Sequence, residues 1–204
     1  MIDTLRQHYK PVDVCELDNS FPKPTSAALE HAKSTLAALP TDSIVVIDGL
    51  ALGAIPEIIT LEAQRLCIVA LVHLPIAKAI GLEQEAAIKF AASEHRALSA
   101  CAAIVVTGRT ALDMLLPYGL VPNRITVVEP GTNPASLAIG SYSGELQLLS
   151  VATLSPGKGH AILLQALTNL AHHQWHLTCI GNLTRYPATV KQVRSLIHEF
   201  ELHD

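Results

Sequence analysis

The chain has 204 residues, half of them hydrophobic and 16% charged, enough apolar material for one large domain or two small ones. Its formal net charge is -4, with 14 Lys+Arg against 18 Asp+Glu, so no basic patch dominates and general nucleic-acid binding is excluded as the main expectation.

Residues 1–10 read as the tail of a helix. Pro11 to Leu17 alternates and predicts a strand. Phe21 to Pro24 is a turn, and Thr25 is placed to cap a helix from Ser26 to Leu39, with Pro40 beyond its end. Ser43 to Asp48 is a β-branched run bounded by Gly49 and reads as a buried parallel strand. A helix follows near Ile55 to Arg65, with Pro56 tolerated in its first turn. Leu66 to Val72 is the next strand, and His73 to Gly81 a loop at its carboxyl end. Leu82 to Ala100 predicts a long helix with Glu83, Glu85, Lys89, Glu94 and Arg96 on its wet face. Ala103 to Thr107 is a strand, Thr110 to Leu116 a helix, and Arg124 to Val128 a strand. Ala135 to Glu145 is small and polar and reads as a linker between two domains. Beyond it come a strand at Leu146 to Thr153, a helix at His160 to His172, a strand at His176 to Ile180 and a helix near Ala188 to Phe200.

Alternating strands and helices with continuous apolar strands predict parallel α/β sheets with helices on both faces. Two sheets are expected, divided by the linker. Ligands in such sheets bind at the carboxyl ends of the strands. Those ends carry Asp48 and Gly49, His73, Thr107 and Gly108, Glu129 to Thr132, Ser155 to His160, and Gly181 with Asn182. Gly157-Lys158-Gly159 lies between a strand and a helix start. Backbone amides and the helix dipole favour an anion there, and Lys158 adds a charge. It is not a P-loop, which needs a fixed glycine spacing and a Ser or Thr after the lysine.

Cys15, Cys67, Cys101 and Cys179 are far apart in sequence and lie in or beside apolar runs. They read as reduced core thiols of a cytoplasmic protein, with no metal site. Met1 to Arg6 runs into polar residues and does not read as a signal peptide. The apolar stretch Leu66 to Leu82 is broken by His73, Pro75 and Lys78 and is too short for a membrane span. Peripheral membrane contact is left open.

Taken together, Phe21 to Thr25, Ile47 to Ala51, Leu71 to Pro75, Val127 to Thr132, Leu149 to His160 and Trp175 to Gly181 resemble the retaining glycosyltransferases of family 4. The resemblance extends over nearly the whole chain and rests on the order and spacing of the pieces. It implies a GT-B-like α/β fold: a Rossmann-like, acceptor-side domain over residues 1–134, and an incomplete Rossmann-like, donor-side domain over 145–204. It implies a nucleotide-sugar as donor substrate, an unidentified acceptor, and no cofactor or metal. Lys158, with Gly157 and Gly159, matches the lysine that contacts the donor diphosphate. His73 matches a cleft histidine near the reacting sugar, and Gly131 and Thr132 match the crossover loop. Asp48 and Gly49 fall on the acceptor side.

The sequence also departs from that family. The family's first strand and glycine-rich loop would precede Met1. Thr153 or a neighbour stands where an arginine is common, and Gly108 where a serine is common. The acidic E-x7-E motif would lie beyond Asp204. A chain truncated in this way is expected to bind a nucleoside diphosphate weakly without transferring sugar, and to self-associate through the incomplete second domain.

Each site residue has a plainer alternative. Lys158 could be a solvated turn lysine and His73 a loop histidine bonded to backbone. Asp48 could cap a helix or orient a substrate hydroxyl, and Glu129 could face the cleft or pair with Arg124. His172 and His173 suit the C-terminal dipole of their helix. For the whole chain the alternative is a non-catalytic α/β nucleotide-binding or interaction protein.

Overall fold

The structure, a computed structural model, describes residues 2–8, 11–137, 139–140, 144–170 and 174–202. The chain divides into two compact units, Met1–Gly131 and Thr132–Asp204.

The first unit is built on a parallel sheet in the order β1-β2-β3-β4: β1 Ile44–Asp48, β2 Cys67–Val72, β3 Ala103–Val106 and β4 Ile125–Val127. β-Branched side chains dominate these strands and suit a pleated, half-buried surface. The helices are α1 Ile2–His8, α2 Ser26–Ala37, α3 Gly49–Leu52, α4 Pro56–Glu62, α5 Gln84–Ala100 and α6 Arg109–Leu115. Thr25 caps α2, its hydroxyl accepting from the Ala28 amide at 3.2 Å. Pro56 opens α4, where its missing N–H is no loss.

Register sorts the strand residues into two faces. Ile47, Ile68, Ala70, Val72, Ile104 and Val106 share one face and all lie in the buried core, with Ala32, Leu52, Ile59, Leu98 and Leu115 from the helices. The other face carries Ile44 and Val46, which are 74% and 52% exposed. The expectation of a buried strand at Ser43 to Asp48 is therefore corrected, since only Ile47 of β1 is buried. β1 is an edge strand with one face in the core. The strand expected at Pro11 to Leu17 is also absent. These residues alternate but reach no ladder, and Val14 and Cys15 stay exposed while Leu17 packs against the core. Alternation makes a strand only where a neighbouring strand accepts its hydrogen bonds.

The second unit pairs β5 Leu146–Val151 with β6 Trp175–Ile180 in parallel, flanked by α7 His160–Thr168 and α8 Pro187–Glu199. Its buried core is Leu154, Leu164, Val190 and Val193. α7 ends at Thr168, earlier than expected. His172, His173 and part of the expected linker, Ala138 and Ser141 to Ser143, lie outside the described residues.

Candidate functional site

In the first unit the carboxyl ends of β1 and β2 adjoin, because Asp48 pairs in register with Leu71. Asp48 is the N-cap of α3, and its Oδ1 accepts from the Leu50 amide at 2.9 Å. Its Oδ2 lies 3.7 Å from Nε2 of His73, and both side chains are more than half exposed. The capping role of Asp48 is thus formed, while its second oxygen faces the imidazole. Gly49 is buried at the start of α3. A Cβ there would stand 3.2 Å from the Leu71 carbonyl oxygen and 3.4 Å from Cα of Val72, the residue before His73. Any side chain at Gly49 would press on the strand end that presents the histidine.

The loop after β2 is more ordered than its sequence implies. Pro75 and Ile76 are buried, and Ile76–Lys78 forms a 3-10 turn. Its amides are held by Glu94, which is only 4% exposed. Glu94 Oε1 accepts from the Ile76 amide at 2.5 Å, and Oε2 from the Ala77 amide and the Tyr118 hydroxyl at 3.0 Å each. The placement of Glu94 on the wet face of α5 is corrected. The spacing of charges along the helix gave no sign of acceptors needed on a loop 18 residues away.

At the end of β4, Glu129 is exposed, and Arg124 donates instead to the carbonyls of Ser99 and Cys101 at 3.4 and 3.3 Å. Gly131 and Thr132 are exposed in non-regular backbone.

In the second unit, β5 runs through Leu154 into a 3-10 turn, Pro156–Lys158, and then α7. The Lys158 amide donates to the Ser155 carbonyl at 3.1 Å. Gly159 has φ +70, a left-handed conformation that glycine adopts without steric cost, and it serves as N-cap of α7 with no capping side chain. The first-turn amides of α7 are therefore left without a side-chain acceptor beside the exposed Lys158. Gly157, Lys158 and Gly159 are consecutive in sequence, and in the first unit Asp48, the neighbour of Gly49, approaches His73 to 3.7 Å.

Sequence reasoning named His160 only as a boundary residue, of the stretch Ser155 to His160 and of the helix that follows, and gave it no role of its own. His160 is 4% exposed, and both its ring nitrogens are buried without a protein hydrogen-bond partner. Of the four thiols, all free, Cys101 is buried, Cys67 half-buried, and Cys15 and Cys179 exposed, so the reading as core thiols holds for Cys101 alone. Among the described residues no group of three His, Cys, Asp or Glu is placed to hold a metal. No described helix is long and apolar enough to cross a membrane.

No family model matches the chain, and no curated protein matches it in sequence. Among solved structures it is similar to the crystal structure of a glycosyltransferase from Rickettsia africae ESF-5, with a TM-score of 0.59 and 16% identity. The match covers 98% of this chain and 55% of that one, so the chain spans little more than half of its neighbour's length. At this identity the likeness is one of fold: α/β with parallel, Rossmann-like sheets, as in GT-B glycosyltransferases.

Proposed function

We propose that the chain works in glycosyl transfer from a nucleotide-sugar, with retention, as the resemblance to family 4 implies. The first unit would carry the acceptor side and the second part of the donor side. The observation that carries this reading is the turn Gly157-Lys158-Gly159 at the junction of a parallel strand and a helix N-terminus, in a fold similar to a solved glycosyltransferase.

In this reading the protein mainly places charge. A leaving nucleoside diphosphate gains negative charge as the glycosidic bond breaks. Lys158 and the free amides at the start of α7 are suited to stabilise it. His73, steered by Asp48, would hydrogen-bond the transferred sugar. Gly131 and Thr132 would form the crossover between the donor and acceptor sides.

The test is a titration of UDP and GDP against the protein and its Lys158→Ala variant. One lysine–phosphate contact in an exposed turn contributes on the order of 1–3 kcal/mol. Alone, such a contact supports a Kd no better than roughly millimolar, and binding should weaken in the Lys158→Ala variant. Equal binding by both proteins would remove Lys158 from the site. Binding without transfer is the outcome expected of this chain, and transfer of sugar to an acceptor by the chain alone would overturn that expectation.

A further inference from the structure

The loop that carries His73 is fixed from outside. His73 itself is 60% exposed in its side chain, so packing does little to place its ring. Two residues later the chain is pinned: Pro75 and Ile76 are buried, and the two amides that open the 3-10 turn end on one carboxylate. Amides at the start of such a turn have no acceptor within it. An ionised carboxylate is the strongest acceptor a side chain can offer them. The fit around Glu94 is close. A Cβ on Gly53 would stand 2.7 Å from Cγ of Glu94 and 2.9 Å from Cδ1 of Ile76.

We infer that Glu94 is a positioning residue: its buried carboxylate holds the loop after β2 in the one geometry that presents His73 beside Asp48. The inference rests on the reading of His73 as a site residue. Three donors converge on its two oxygens, from Ile76, Ala77 and Tyr118. Glutamine has the same shape but one acceptor oxygen and an NH2 donor. Whichever way it is turned, at least one backbone amide loses its acceptor. The tyrosine hydroxyl reflects the same arrangement. Burial first, and the adjacent Glu94 charge second, push its pKa above the ordinary tyrosine range.

The experiment is NMR on the full chain, labelled with 15N and with 13C in histidine, comparing the wild type with Glu94→Gln. The expected result has two parts. The Ile76 and Ala77 amide signals move upfield, and the exchange of at least one of them rises about tenfold, as for loss of one hydrogen bond. The His73 ring signals shift or broaden at the same time, while the amides of β3 and of the first turns of α5 keep their wild-type positions. Tyr118→Phe removes one of the three bonds and should move the same signals less; it carries the test if Glu94→Gln does not fold. A purely structural glutamate would lower stability and leave the His73 ring unmoved. These signals are read without substrate, so they judge Glu94 separately from glycosyl transfer. If UDP, GDP and candidate acceptors all fail to perturb the wild-type protein, the functional reading falls while the loop measurement still stands. His73 ring signals unchanged in the folded variant would overturn the positioning role.

Discussion

Cys101 shows how one buried group sets a pH response. It follows the last turn of α5, its thiol donating to the Ala97 carbonyl at 3.4 Å, and burial pushes its pKa up to about 12. In the unfolded chain a thiol titrates near ~8.5. Between those values the unfolded state gives up its proton and the folded state keeps it. The contribution is therefore complete below pH ~8.5 and lost as pH rises towards about 12. Tyr118, also raised by burial, acts in the same direction. Stability should fall above pH ~8.5 with a slope of up to ~1.4 kcal/mol per pH unit from Cys101. Urea midpoints measured at several alkaline pH values would show it, and Cys101→Ala should flatten the slope; an unchanged slope would remove the thiol as its source. At this scale the sequence was readable where chemistry is local. Thr25 and Asp48 both cap the helices that follow them, as short polar side chains before a helix do. Glu94 was not readable, because its partners come from a distant loop and from Tyr118.

Among the elements, α5 and the loop after β2 depend on a glycine for space. Gly53 has φ -66, an ordinary value for any residue. A methyl group there would meet Glu94, Ile76 and, at 3.2 Å, the Gly49 carbonyl oxygen. Gly53→Ala should cost about 1–3 kcal/mol through overpacking, and thermal melts would read it as a lowered Tm. A neutral Gly53→Ala would mean that Glu94 can shift freely, which would also weaken its case as a clamp. Strand and helix order was legible because continuous apolar runs between glycines and prolines leave few alternatives. All four strands predicted from Ser43 to Val128 form, in parallel. Residues 11–17 show the limit: their alternation is real, but the free edge of β1 does not take them up.

At the scale of the whole chain, each unit leaves apolar strand residues open. Ile44 and Val46 are exposed on the first sheet, and Leu149, Val151 and Ile180 are 64%, 71% and 54% exposed on the second. Contiguous apolar surface of this kind marks contact sites, and a short sheet with unpaired edges invites pairing. We propose that the chain self-associates through these faces. Light scattering should give a mass that rises with concentration, and Leu149→Asp should reduce it; a constant monomer mass would count against the proposal. The two units also differ in how much holds them. The first has eighteen buried residues in its core cluster and the second four, among the described residues. The second unit also has a half-open pocket of about 810 Å³, lined by Leu154, Leu164, Leu177, Val193 and His160 together with polar residues such as Glu145 and Arg194. A two-stranded sheet is marginal by itself, and a core open to solvent buries less apolar surface. The second unit should therefore unfold first. The single tryptophan makes this measurable, since Trp175 lies on β6 with its indole N–H donating to the Leu170 carbonyl at 3.1 Å, so its fluorescence reports on the second unit. Most of the regular structure is in the first unit and dominates far-UV circular dichroism. In urea, the fluorescence midpoint should precede the circular dichroism midpoint, with two resolved transitions rather than one. Coincident midpoints would mean that the units unfold as one cooperative body, and that the small core of the second is stabilised by something besides its own packing.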